Sequence, residues 1–147
     1  MISLRPSTRE ELVIFDQMDR QNHASNFVTQ IGIETHQKYY DDPNITYLSI
    51  ENSRGGYSGY FVLVVEPDSA SVEFRRILID QNKRGVGQDA ITEMENYCRK
   101  EFGVKRIWLD VYEDNAIGRH IYGKIGYQQF KEELEEGRKL LFYEKAL

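Results

Sequence analysis

The chain is poor in cysteine, proline, histidine and long apolar runs, and each scarcity removes a class of protein. A single cysteine, Cys98, in 147 residues cannot form an internal disulfide. A reducing intracellular compartment is therefore expected, and the cytoplasm is the simplest one. The longest useful apolar run, Tyr60 to Val65, falls far short of the ~18 residues that cross a membrane, so no membrane partner is expected. The opening Met1-Ile2-Ser3-Leu4-Arg5-Pro6 lacks the basic start and apolar block of a secretory leader. His23, His36 and His120 have no metal-ligand spacing, so no metal is expected. Basic residues number 19 against 24 acidic ones, a net charge of -5. Phosphate neutralisation needs a basic surface, which argues against a nucleic-acid partner. The same sign of charge suits an amine that arrives as a cation.

What is present is ordinary for a globular chain: 40% hydrophobic and 29% charged residues, enough for one domain spanning 1–147. No repeat, linker or low-complexity segment interrupts it. Ile2 to Arg5 is predicted as a strand closed by Pro6. Ser7 or Thr8 then caps a helix over Thr8 to Asp19, with Glu10 and Glu11 in its first turn and Leu12, Phe15 and Met18 on one face. A second helix is predicted over Glu34 to Tyr40, stopped before Asp42-Pro43. Ile45 to Glu51 and Tyr57 to Val65 form a hairpin about Asn52-Ser53-Arg54-Gly55-Gly56, and Val72 to Ile79 is a fourth strand. Gln88 to Phe102 has a strong helical pattern, with Ile91, Met94, Cys98 and Phe102 on one face and Gly103 as its stop. Lys105 to Val111 is a fifth strand. Asn115 caps a helix to Ile125, ended by Gly126. Tyr127 to Glu132 and Lys139 to Lys145 form a final strand pair, with the acidic Glu132, Glu133, Glu135 and Glu136 in a solvated connection. The helix between the fourth and fifth strands makes those two parallel neighbours, with a ligand at their C-terminal ends.

Two motifs fall on that unit. Asn82-Lys83-Arg84-Gly85-Val86-Gly87 links the fourth strand to the next helix. Glycines spaced so closely, beside Lys and Arg at a helix N-terminus, suit backbone N–H groups turned toward an anion. Further on, Asn115 precedes Tyr122 by seven residues, and Gly126-Tyr127 follows. Together they resemble the two signatures of the GNAT acetyltransferase superfamily. Asn82-x-x-Gly85-x-Gly87 stands where that family carries Gln/Arg-x-x-Gly-x-Gly/Ala. The resemblance covers Val72 to Tyr127, with Asn82 and a short strand-to-loop connection as departures.

The resemblance implies an α+β fold: a mixed, mostly antiparallel sheet with a parallel central strand pair and helices on both faces. It implies acetyl-CoA as donor cosubstrate and direct attack by a primary amine, of a small molecule or a protein, with no metal. Lys83, Arg84, Gly85, Val86, Gly87 and Gln88 would hold the pyrophosphate. Ile77 and Ile79 would offer backbone groups to the pantetheine arm. Asn115 would cap its helix and reach the cofactor arm, and Gly118 would pack closely against the sheet or the cofactor. Tyr122 would contact the cofactor and protonate the departing thiolate. Glu73, on the fourth strand, would serve as general base, or else partner Arg75. His36, near Tyr39 and Tyr40, is an alternative base, though an exposed histidine is the simpler reading. Cys98 reads as core rather than nucleophile. The competing function is a non-catalytic acyl-CoA-binding or regulatory module on the same fold. A nucleotide P-loop is excluded, since Gly87-Gln88 is not followed by Lys-Ser/Thr. Exposed edges of such a sheet suit a homodimer.

Overall fold

Alternating apolar residues along the chain give each central strand two buried faces, and the helices divide between them. The computed structural model describes residues 2–21, 30–79 and 86–147. Seven strands, β1 (Ile2–Pro6), β2 (Ile45–Asn52), β3 (Tyr57–Glu66), β4 (Ser71–Ile79), β5 (Arg106–Tyr112), β6 (Gln128–Glu135) and β7 (Arg138–Ala146), form one sheet in the order β1-β2-β3-β4-β5-β7-β6. Every neighbouring pair is antiparallel except β4 and β5. The described helices are α1 (Glu11–Gln21), α2 (Gly32–Asp41), α3 (Val86–Tyr97) and α4 (Ala116–Lys124). None is long and apolar enough to cross a membrane.

Strand alternation decides which side each helix takes. Leu48, Ile50, Phe61, Leu63, Val72 and Ile107 point to one face, where Ala90, Ile91, Met94 and Cys98 cover them. Tyr47, Tyr60, Val62 and Leu78 point to the other, beneath Leu12 and Phe15 of α1. Phe15 stacks on Tyr60 with ring centroids 4.4 Å apart. Cys98 is fully buried, and loss of solvent pushes its thiol up to about 12, so it is an inert core residue as its helical position suggests.

Several boundaries differ from those expected. Helix α1 begins at Glu11, because Thr8, Arg9 and Glu10 form the capping turn. Helix α2 begins earlier, at Gly32. The long pattern after Gln88 divides: α3 starts at Val86 and gives way at Cys98 to a π turn through Phe102, ended by Gly103 in the left-handed region. The acidic residues change place most. Glu132, Glu133 and Glu135 lie in β6, and the connection shrinks to Glu136-Gly137. Both turn residues have positive φ, 49° and 80°, the backbone of a tight two-residue hairpin. The charges instead line an edge strand, where Lys131 pairs with Glu133 at 2.9 Å and Lys139 with Glu132 at 3.3 Å. Charges there discourage edge-to-edge aggregation.

The entry to α1 rests on one carboxylate. Glu11 Oε1 accepts the Thr8 backbone N–H at 2.8 Å, while the Arg5 guanidinium donates to both Glu11 oxygens at 2.8 and 2.7 Å. These bonds close a capping box and tie α1 to β1. The Arg5 hydrogen bonds outweigh burial and hold the Glu11 carboxyl at about 2. A lowered folded value means that Glu11 stabilises the fold above its unfolded value of ~4.3 and loses that contribution as pH falls through the folded value. Glu11→Gln should therefore cost about 1–2 kcal/mol at pH 7. In urea denaturation, the gap from the parent chain should close between pH ~4 and ~2. A gap that stays constant down to pH ~2 would show that the ion pair is not its source.

Candidate active site

The site begins where β4 and β5 part. Their parallel pairing comprises Ser71 with Arg106, Val72 with Ile107 and Glu73 with Trp108, and then stops. Beyond Glu73, β4 continues to Ile79, still bonded to β3 on its other edge. β5 continues to Tyr112, still bonded to β7. The divergence opens a cavity of about 400 Å³. Phe74, Arg75, Arg76 and Ile77 line it from β4, and Leu109, Asp110, Val111 and Tyr112 line it from β5. Asn115, Gly118 and Tyr122 close it from the α4 side. Among the described residues, β4 has no strand partner on this edge after Glu73, so its backbone N–H and C=O groups are available to a ligand.

The residues anticipated from the sequence divide accordingly. Ile77, Asn115 and Tyr122 share the cavity wall. Ile79 is partly buried against the α3-side core and lies outside the lining. Val86, Gly87 and Gln88 form the first turn of α3, at the end of the connection from β4. Lys83, Arg84 and Gly85 fall outside the described residues. Gly87 has no positive φ, and among the described residues a Cβ there would meet nothing within 4 Å. Among the described residues no packing accounts for the glycine, which leaves room there for a bound group at the helix N-terminus.

Asn115 caps α4 as expected: its side-chain oxygen accepts the Gly118 N–H at 2.9 Å. Gly118 lies on the cavity wall beside this cap. A Cβ at Gly118 would lie 2.7 Å from the Asn115 side-chain nitrogen, so the glycine makes room for the cap itself. The Tyr122 ring is held edge-on by Phe74 and Tyr127, each with its centroid 6.1 Å away. Desolvation first, and then the charge of Asp110, raise the Tyr122 hydroxyl to about 12. The hydroxyl therefore keeps its proton at neutral pH and is a donor.

Glu73 takes the second role foreseen for it. Arg75 Nε and Nη2 grip its two oxygens at 3.0 and 2.9 Å, and Glu73 is not part of the cavity lining. Asp110 went unnoticed in the sequence, although a lone acid between Leu109 and Val111 in a strand was a usable signal. Alternation turns Asp110 to the face that Trp108 shares with Glu73. A β-bulge also escaped notice. Val62 pairs with Arg76 and Leu63 with Phe74, leaving Arg75 unpaired, so both arginines reach the cavity.

His36 is not the exposed residue expected; it is fully buried. Its Nε2–H donates to Asp19 at 2.8 Å, and its Nδ1 lies 2.7 Å from the Tyr47 hydroxyl. Tyr60 donates to the other Asp19 oxygen at 2.6 Å and accepts from Arg76 at 2.8 Å. Arg76 also reaches Asp19 at 3.2 Å. Burial opposes the charge on Asp19, yet the bonds from His36 and Tyr60 and the charge of Arg76 hold its carboxyl below the usual range. The network joins α1, α2, β2, β3 and β4, and it ends on a cavity-lining arginine. Asp16, Asp19 and His36 bring metal-ligand atoms within 4.8 Å of one another. Those atoms already serve Arg20, Arg76 and each other, which is poor chemistry for an added cation.

The acetyltransferase (GNAT) family model matches residues 14–127, and the chain belongs to that family of enzymes that move an acetyl group to an amine. Solved structures agree on the fold. The spermidine N-acetyltransferase from Vibrio cholerae in complex with CoA and spermine superposes with a TM-score of 0.85 at 17% identity, covering 99% of this chain and 95% of that one. The dodecameric form of that enzyme in an intermediate state gives 0.81 at 17% identity, with 99% and 93% covered. Its complex with manganese ions gives 0.80 at 18% identity, with 99% and 92% covered. No curated protein sequence matches the chain.

The cap geometry yields a test of sign. Gly→Ala inside a helix ordinarily gains ~1 kcal/mol. In Gly118→Ala the new Cβ must displace Asn115, whose cap is worth about as much. Thermal denaturation should show no gain or a net loss. A gain of ~1 kcal/mol would show that Asn115 does not depend on this glycine.

Proposed function

We propose that the chain transfers an acetyl group from acetyl-CoA to a primary amine within the β4–β5 cleft. The observation that carries this reading is the convergence of an unpaired β4 edge, the capped α4 terminus and the Tyr122 hydroxyl on one cavity. Val86, Gly87 and Gln88, with the preceding Lys83, Arg84 and Gly85, would receive the pyrophosphate through N–H groups and the helix dipole. The open edge of β4 through Ile77 and Ile79 would pair with the amides of the pantetheine arm, as an added strand does. That places the thioester between β4 and β5, beside Tyr122.

The chemistry asks three things of the chain. It must hold the amine against the carbonyl, remove a proton from the ammonium, and protonate the sulfur as the C–S bond breaks. Tyr122 is suited to the last task, since its hydroxyl keeps its proton at neutral pH and its ring is clamped by aromatic neighbours. The amine would enter on the sheet face that carries Asp110, where the charges of Glu133 and Glu135 add to the negative field. A small polycationic amine fits that charge, and spermidine N-acetyltransferases are among the proteins whose fold this chain shares. A purely CoA-binding module has no use for a proton donor beside the sulfur.

Two substitutions separate binding from chemistry. Among the described residues Gly87→Val meets no neighbour, so the fold should persist while the CoA-induced rise in melting temperature shrinks or vanishes. An undiminished rise would remove Gly87 from the pyrophosphate site. Tyr122→Phe keeps the ring and should lower turnover by roughly 10²–10⁴-fold, measured as thiol release from acetyl-CoA across a panel of amines. Its response to CoA should be unchanged. Equal turnover in the variant, with chemistry rate-limiting, would eliminate Tyr122 as the acid.

A further inference from the structure

We infer that Asp110, rather than Glu73, is the carboxylate that takes the proton from the incoming amine. Two placements carry this. Glu73 belongs to the last paired position of β4 and β5, below the opening. Both of its oxygens are engaged by Arg75 at 2.9 and 3.0 Å, so its lone pairs are directed at a permanent cation. A carboxylate in a bidentate guanidinium grip is a poor base. Asp110 is two residues beyond Trp108 on β5, and so is the first β5 residue on that face after the strands separate. It lines the cavity, and among the described residues no hydrogen-bond donor reaches its carboxylate.

Its surroundings favour the same role. Desolvation in the cleft, followed by the charges of Glu73 and Glu135, pushes the Asp110 carboxyl above the usual range; Arg75 opposes them, and Glu133 adds the least. A base strengthened in this way is better matched to an ammonium proton. Asp110 also acts on Tyr122, since its negative charge helps to keep the phenol protonated. Neutralising Asp110 removes that charge. The proton taken from the amine thus makes Tyr122 a stronger acid just before the sulfur needs one.

The step balances. Asp110 takes one proton from the ammonium, and the freed nitrogen lone pair forms the N–C bond. The C–S bond breaks with its electron pair on sulfur, and Tyr122 protonates that sulfur. The second proton lost by nitrogen restores the Tyr122 hydroxyl. Asp110 then releases its proton to solvent, so that one proton is set free per turnover.

This inference rests on the acetyl-transfer reading, and the test separates the two. The parent chain, Asp110→Asn, Asp110→Glu and Glu73→Gln are compared for kcat/KM toward an acetylated amine from pH 6 to pH 10, with CoA binding measured in parallel. Asp110→Asn should lose roughly 10²–10³-fold near neutral pH. Its deficit should shrink as pH approaches the amine's own value near ~10, where free amine no longer needs a base. Asp110→Glu should recover part of the rate, Glu73→Gln should lose less than Asp110→Asn, and all should bind CoA. An Asp110→Asn deficit that is absent, or constant with pH, overturns the inference, as does a larger pH-dependent loss in Glu73→Gln. A parent chain that binds CoA but acetylates no amine would instead refute the acetyl-transfer reading and the inference with it.

Discussion

The arrangement depends on two parallel strands that stop pairing after Glu73 and Trp108. Backbone groups left without partners in a dry interior are costly. Here each strand keeps its outer partner, β3 or β7, so only the inner edges are released. The crossover through α3 makes β4 and β5 parallel, and both C-terminal ends face the same opening. The chain leaving β4 enters the N-terminus of α3, and the chain leaving β5 enters the N-terminus of α4 through Asn115. The opening is thus bordered by the start of α4 and, among the described residues, by an unpaired strand edge, and the chain leaving that edge leads on to the start of α3. Each of these offers backbone donors, and that is the chemistry a long, amide-bearing, phosphate-ended cosubstrate requires.

A second constraint keeps one wall of the opening stiff. Asp19, His36, Tyr47, Tyr60 and Arg76 bury a carboxylate and a guanidinium together, linked by hydrogen bonds and an ion pair across four elements besides α1. Removing one partner would strand a buried charge, which is far costlier than never burying the group. The network therefore couples the packing of α1 and α2 to the position of Arg76, and so to the cavity. The bulge at Arg75 completes the arrangement by turning a neighbouring guanidinium onto Glu73. The same contact commits both oxygens of that carboxylate to Arg75.

Local patterns made most of the fold legible. The hairpin about Asn52 to Gly56, the apolar face of α3, the cap at Asn115 and the parallel β4–β5 pair all follow from short-range spacing. The hidden features need information from distant positions. His36 looks like a surface residue until Asp19 and Tyr47 are placed beside it. Glu132, Glu133 and Glu135 look like loop residues because strand propensity disfavours them, yet pairing with β7 holds them in β6. At the site, Tyr122 and Asn115 were visible because their spacing is fixed within one helix. Asp110 was hidden because its place in the cavity wall comes from where its pairing with another strand ends. Gly118 was visible as an oddity, but its reason, the bulk of the Asn115 amide, is a contact that spacing does not express.

The central claim is that the unpaired β4 edge and the start of α3 together receive CoA. Amide hydrogen exchange with and without CoA tests it at the backbone groups concerned. The account predicts slowed exchange confined to the β4 segment from Phe74 to Ile79 and to the first turn of α3 around Gly87 and Gln88, with β1 and β2 unaffected. Binding of CoA with no added protection in β4, or with protection centred elsewhere on the sheet, would contradict it.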